Sequence, residues 1–288
     1  MSYPCCETII EKKIENNMYI TYELNYPEHK EEFLQYILPI LKDEYGVGRE
    51  LEEKIKNIKP ERTKNIMKYM KKYMTPNPNR NFSKNQPWLK NTRSKISEAI
   101  AKDLLKKVDN VTFTCRISKE EEDPDMPKRG IDNFGFIFKE IDDNNVELNS
   151  IVTCEVKASD SKESPPAVVH GTSDSLYDSL LSMCGIDDRL KKAIAKSIDK
   201  LTDSQYFELL CNIAADIQCG ENFDNLKNKI TVVPFLVRKK EFYTEKDFGK
   251  FKTNYKDFES SMIKYYIITI DYELNDFADE IYTRLREG

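Results

Sequence analysis

The chain has 288 residues, 39% of them hydrophobic and 33% charged, with a net charge of −5. This suffices for one large domain or two small ones, and no stretch approaches the roughly 18 apolar residues of a membrane span. The opening "MSYPCCETIIEKK" lacks the apolar run of a signal peptide, so a cytoplasmic protein without membrane contact is expected.

Residues 7–25 read as two strands with a turn near Asn16-Asn17. Residues 28–44 follow a helical pattern disturbed at Pro39. The segment "GRELEEKIKNIKPERTKNIMKYMKKYM" predicts one or two basic helices, with Pro60 as a helix start. Ile66, Met67, Met70 and Met74 form a packing stripe on it. "TPNPNRNFSKNQPW" (75–88) is an irregular linker by its three prolines and four asparagines. It divides the chain into residues 1–91, a strand hairpin with a basic helical region, and residues 92–288. The second part opens on an amphipathic helix, "NTRSKISEAIAKDLLKKV", with Ile96, Ile100, Leu104 and Leu105 on one side. Three strands follow: "VTFTCRI", "IDNFGFIFKEI" and, after the turn "DDNN", "SIVTCEVKA". A helix over "TSDSLYDSLLSM" takes Thr172 or Ser173 as its N-cap and Gly185 near its end. Helices near 187–200 and 203–218 come next. The strand "KITVVPFLVRK" carries Pro234, which suggests an edge or a bulge. The strand "KYYIITIDYE" and a last helix close the chain. The expected class is a mixed α/β domain.

Charge is unevenly placed. Residues 54–95 hold thirteen Lys or Arg and a single acid, Glu61, so this segment carries +12 and the remainder −17. Such asymmetry is an electrostatic footprint for a polyanion. Lys64, Lys68, Lys71 and Lys72 are the candidate phosphate contacts, and Tyr69, Tyr73, Phe82 and Trp88 lie within or beside them. The alternatives are a solvated helix face, an acidic protein partner, and aromatics that anchor the linker to the core. Arg129 is a candidate phosphate clamp, or a partner for the acidic run "EEEDPD".

Seven cysteines include no Cys-x-x-Cys pair, which suits reduced thiols. With only His29 and His170 present, histidine-rich zinc chemistry is not expected. Carboxylates are better placed. In "SIVTCEVKA", alternation puts Thr153, Glu155 and Lys157 on one face and Val152, Cys154 and Val156 on the other. Glu155 and Lys157 then stand about 7 Å apart along the backbone. An antiparallel hairpin through "DDNN" lets Asp132 approach Glu155. Two adjacent carboxylates repel, and a divalent cation relieves this. Hard oxygen ligands suit Mg²⁺ or Mn²⁺, and such an ion with a neighbouring lysine can hydrolyse a phosphate ester. The competing reading is an ion cluster on a solvated sheet face.

Asp132 on one strand and Glu155-x-Lys157 on the next, behind a helix that carries an acid, resemble the PD-(D/E)XK nuclease superfamily. The resemblance covers roughly residues 92–240 and departs at Ile131, where the motif has proline. It implies a restriction-endonuclease-like core: helix, three-stranded meander, helix, strand, here with an N-terminal strand and helix extension. It implies that Asp132 and Glu155 are metal ligands, with the Val156 carbonyl completing the set. Lys157 would act on the attacking water, and Glu98 would assist from the first helix, with Asp103 less well placed. The block "RGIDNFGF…CEVKAS" and the strands "ITVVPFLVRK" and "YYIITIDYE" further resemble nuclease subunits of Hachiman-type antiphage defence systems. That resemblance implies a Mg²⁺-dependent DNA endonuclease controlled by a helicase partner. A stand-alone restriction or repair nuclease, or a non-catalytic binding module, are the alternatives.

Overall fold

The computed structural model describes residues 3–80, 91–119, 123–126, 130–142, 145–171 and 174–288. Its N-terminal part holds β1 (Glu7–Ile14), β2 (Asn17–Leu24), α1 (Tyr26–Glu44), α2 (Arg49–Ile55) and α3 (Pro60–Met74). Then come α4 (Asn91–Val108), β3 (Thr112–Phe113), β4 (Asn133–Asp142), β5 (Asn145–Ser159), α5 (Ala167–His170) and α6 (Leu176–Cys184). α7 (Asp188–Lys200), α8 (Phe207–Cys219), α9 (Phe223–Asn228), β6 (Ile230–Lys239), α10 (Lys250–Thr253), β7 (Met262–Ile270) and α11 (Leu274–Glu287) complete it. This is a mixed α/β protein.

One seven-stranded sheet runs in the order β1-β2-β7-β6-β5-β4-β3. The hairpins β1/β2, β3/β4 and β4/β5 are antiparallel. The central pairs β2/β7, β7/β6 and β6/β5 are parallel. Parallel strands are covered on both faces, and β6 and β7 accordingly read as near-continuous apolar runs. On one face Ile96, Ala99 and Ile100 of α4, Phe33 and Ile37 of α1 and Phe277 and Ile281 of α11 pack on Cys154, Val156 and Phe235. On the other, Leu176 and Leu180 of α6, Leu190 and Ile194 of α7 and Leu210 of α8 pack with Ile151, Val232 and Leu236.

The pairing of β2 with β7 places residues from both sides of the linker in one sheet and one core. The division at residue 91 is therefore one of chain order and charge, not of separate cores. Further differences from the sequence reading have local causes. In α1, Pro39 sits inside the helix and the disturbed backbone lies at His29 (φ −102°, ψ 18°). The run "VTFTCRI" contributes only the two residues of β3. α6 is capped by Ser175, whose hydroxyl accepts from the Asp178 N–H, while residues 172 and 173 lie outside the described residues. Pro234 is neither at an edge nor in a bulge of the β5 ladder: it occupies an interior strand opposite Glu155. Ladder partners between β6 and β7 pass from Val232↔Ile263 to Phe235↔Tyr266, and the N–H that proline lacks falls in that gap. The stripe on α3 is as expected, with Met70 and Met74 against the core.

Candidate active site

The hairpin register decides the site. β4 and β5 pair from Asn133↔Cys154 to Asp142↔Asn145, with irregularities after Ile137 and Glu140. Asp132 stands one residue ahead of this ladder, next to the position of Glu155. Its Oδ2 accepts a hydrogen bond from the Val156 N–H at 2.8 Å. A side chain thus takes the place of a ladder carbonyl at the start of β4. The Val156 carbonyl points toward the same strand edge as its N–H, so Asp132 and that carbonyl border one space.

Glu155 and Lys157 share the face of β5 that looks toward α6, the face of Ile151. Glu155 is 6% exposed. Its Oε1 lies 3.4 Å from Lys157 Nζ, whereas Oε2 is buried with no hydrogen-bond partner. Two residues earlier on the same face, Thr153 Oγ1 is also buried and unpartnered. Lys157 Nζ is 3.3 Å from Oδ2 of Asp174, an exposed residue immediately before the α6 cap.

The field here is that of crowded carboxylates. Burial, and after it the charge of Asp132, push the Glu155 carboxyl up to about 8, with Lys157 opposing. For Lys157, burial disfavours the ammonium, but Glu155, Asp132 and Asp174 outweigh it and hold its pKa above the ordinary lysine value. These carboxylates therefore favour the ammonium form of Lys157. Burial raises the Cys154 thiol well above its usual range, and Asp132, Glu155 and Glu98 add to this, so it is an inert core group.

Asp132, Glu155 and Lys157 are brought together. Glu98 is near but on the other side: α4 packs on the face of Cys154 and Val156, and the Glu98 backbone carbonyl accepts from Asn133 Nδ2 at 3.0 Å. That bond ties α4 to the residue following Asp132. Asp103 is engaged elsewhere, by the hydroxyls of Tyr3 (3.0 Å) and Tyr36. On α3, Lys64, Lys68 and Lys72 are exposed, and Lys71 is half-buried. Burial and then Lys42 lower the Lys71 pKa, so it is the least suited of the four to a phosphate. Arg129, Phe82 and Trp88 lie outside the described residues. Asp174 and Asn133 were not singled out in the sequence. Alternation sets Asn133 on the face opposite to its neighbour Asp132, but that α4 covers this face is a property of the fold; Asp174 had no signal beyond the polar run before α6.

Among the described residues, no three His, Cys, Asp or Glu side chains converge on a point fit for a metal ion. The donor set that does exist is two carboxylates and a carbonyl, with one carboxylate oxygen buried and unpartnered. This fits Mg²⁺ or Mn²⁺: Mg²⁺ keeps several waters and binds through one or two carboxylates plus substrate phosphate, not in a full protein cage. A cleft of about 700 Å³ lies apart from these residues, lined by Ile14, Pro165, His170, Gly249 and lysines of the 246–252 segment. There, Gly249 (φ 51°) sits so close to His170 that a Cβ would come within 2.5 Å of Nδ1. His170 is thus a packing residue beside α10, with its pKa lowered by burial and then by Lys250. No known protein family matches the chain, and no curated protein matches it in sequence.

Proposed function

We propose that this protein is a Mg²⁺- or Mn²⁺-dependent DNA endonuclease that hydrolyses phosphodiester bonds. The observation that carries the reading is Glu155 Oε2, a buried carboxylate oxygen without a partner beside a second carboxylate and a lysine. A buried anion in such company is costly unless a cation joins it. The ion would be held by Asp132, Glu155 and the Val156 carbonyl, and would supply Lewis-acid activation of water and of the scissile phosphate. The Val156 N–H orients Asp132 through the 2.8 Å bond. The Lys157 ammonium places a fixed positive charge where the phosphoryl group gains negative charge. The chain order α4, β3–β4–β5, helices, β6 supports a PD-(D/E)XK-type core. The exposed lysines of α3 supply sequence-independent contacts to phosphates.

The resemblance to Hachiman-type nuclease subunits extends this to an effector of antiphage defence whose cutting is controlled by a helicase partner. A stand-alone restriction or repair nuclease would use the same residues. A non-catalytic module with this fold is favoured by one observation: among the described residues no third His, Cys, Asp or Glu side chain joins the two carboxylates. Cleavage of supercoiled plasmid separates these readings: nicking in Mg²⁺, alone or with the helicase, and none in a chelator is expected. No cleavage under any of these conditions would leave the binding module.

A further inference from the structure

α3 carries more than charge. None of its residues is fully buried, and its inward side is formed by Ile66, Met67, Met70 and Met74. On the outward side Lys64, Lys68 and Lys72 follow at i, i+4 and i+8 and form a line of adjacent ammonium groups. Next to it, again at i and i+4, stand Tyr69 and Tyr73, which are 63% and 54% exposed. Their ring centroids are 4.6 Å apart with the planes inclined by 47°, and Lys72 Nζ lies 5.2 Å from the Tyr73 centroid. Exposed aromatic rings beside a line of ammonium groups suit a ligand with both a negative backbone and flat apolar faces.

Lysines alone would hold duplex and single strand alike, because both offer phosphates. The tyrosines break this equivalence. In a duplex the bases are stacked on each other and closed to a side chain on the surface, whereas an unpaired strand can lay its bases on protein rings. We infer that the outward face of α3 is a platform for single-stranded nucleic acid, with Lys64, Lys68 and Lys72 along the backbone and Tyr69 and Tyr73 under the bases.

The fold gives the platform an address. Arg286 of α11 binds the Thr75 carbonyl at 2.7 Å and the Pro76 carbonyl at 3.2 Å, which fixes the C-terminal end of α3. The chain beyond is held by Asp125, through the Asn77 N–H (2.7 Å) and Arg80 (2.9 Å). Asn91 at the start of α4 binds the Pro124 carbonyl at 3.0 Å in the same short loop. From there α4 leads, in about 10 Å of helix, to Glu98 and its bond to Asn133. These bonds tie the C-terminal end of the α3 platform to the helix whose Glu98 carbonyl binds the residue next to Asp132, and a bound strand would pass from the one to the other. Only this last step rests on the nuclease reading; the platform itself does not.

The test is fluorescence anisotropy with labelled oligo-dT of about 16 nucleotides and a mixed-sequence duplex of equal length, in chelator so that nothing is cut. Wild type should bind the single strand at least about tenfold more tightly than the duplex. Tyr69→Ala and Tyr73→Ala should each weaken single-strand binding by about fivefold or more and leave duplex binding in place. Lys68→Glu with Lys72→Glu should weaken both and flatten the salt dependence. Both tyrosines are solvent-exposed, and an unchanged thermal melt verifies that each variant is folded. Equal affinity of wild type for the two probes, or tyrosine variants that bind oligo-dT like wild type, would overturn the inference. Failure of plasmid cleavage would not touch it, because binding is read without divalent metal.

Discussion

The Asp132 carboxylate accepts the Val156 backbone N–H at 2.8 Å, which clamps the residue just ahead of β4 onto the strand that bears Glu155 and Lys157. The same contact forces a second carboxylate against Glu155, and the pH dependence of stability follows. Without metal, Glu155 titrates near 8 in the folded protein against an ordinary value of 4.5. The folded state then keeps a proton that the unfolded chain releases. Its stabilising contribution is complete below about pH 4.5 and is lost as pH rises through about 8. Glu155→Gln should flatten this decline and stabilise the metal-free protein at pH 8 by about 1–3 kcal/mol. Thermal melts in chelator from pH 5 to 9 measure it. A wild-type curve that does not fall relative to the variant would exclude the raised pKa.

Divalent metal should reverse that penalty. Mg²⁺ or Mn²⁺ binds the deprotonated carboxylate, so it should raise the wild-type melting temperature most at pH 8 and little at pH 5. Glu155→Gln and Asp132→Asn should lose the response. An equal rise in both variants would place the ion elsewhere.

Thr153 Oγ1 is buried and unpartnered two residues before Glu155 on the same face. Thr153→Val keeps the shape and removes the unsatisfied hydroxyl, and should be neutral or stabilising by up to about 1 kcal/mol in urea unfolding. A clear loss of stability would show that the hydroxyl has a partner in solution.

Arg238 on β6 and Asp247 form a 2.9 Å ion pair with both side chains fully buried. The guanidinium also donates to the carbonyls of Ser159, Ser161, Glu163 and Phe242, which fastens the loop leaving the Glu-x-Lys strand. Arg238→Met strands a buried anion and should cost about 3–5 kcal/mol. Arg238→Lys should also destabilise, because one ammonium cannot replace the fork. Wild-type stability in either variant would refute this reading of the loop.

A fragment of residues 92–288 should fail to fold as a monomer. It lacks β2 and would leave the apolar strand β7 with an open edge. Size-exclusion chromatography and circular dichroism decide this, and a soluble, cooperatively melting fragment would contradict the single shared core.

Period-two alternation made the face shared by Glu155 and Lys157 readable, because a strand turns successive side chains to opposite sides whatever its neighbours are. The register that brings Asp132 to Glu155 was not readable, since it depends on where the hairpin ladder begins and on two irregularities within it. Nor was β2 beside β7, as nothing local to "NMYITYEL" names a partner near the other end of the chain. α4 reads as an amphipathic helix with Ile96, Ile100, Leu104 and Leu105 on one side, yet Lys95, Lys102 and Asp103 are buried along with them. Lys102 is held there by Glu44 at 2.7 Å, and Glu44 comes from α1. Such burial depends on a distant counter-charge. The side from which Glu98 approaches was hidden for the same reason, because a helix pattern does not say which face of a sheet the helix will cover.

Asp132, Glu155 and Lys157 are proposed to form one hydrolytic centre. Single-turnover cleavage of labelled DNA tests it most directly, with wild type, Glu155→Gln and Lys157→Met compared in Mg²⁺ and in chelator, with the helicase added if wild type alone is silent. Metal-dependent cutting by wild type and a loss of at least about 100-fold in each variant are expected, with DNA binding retained. Variants that cut at the wild-type rate, or wild type that cuts equally in chelator, would contradict it.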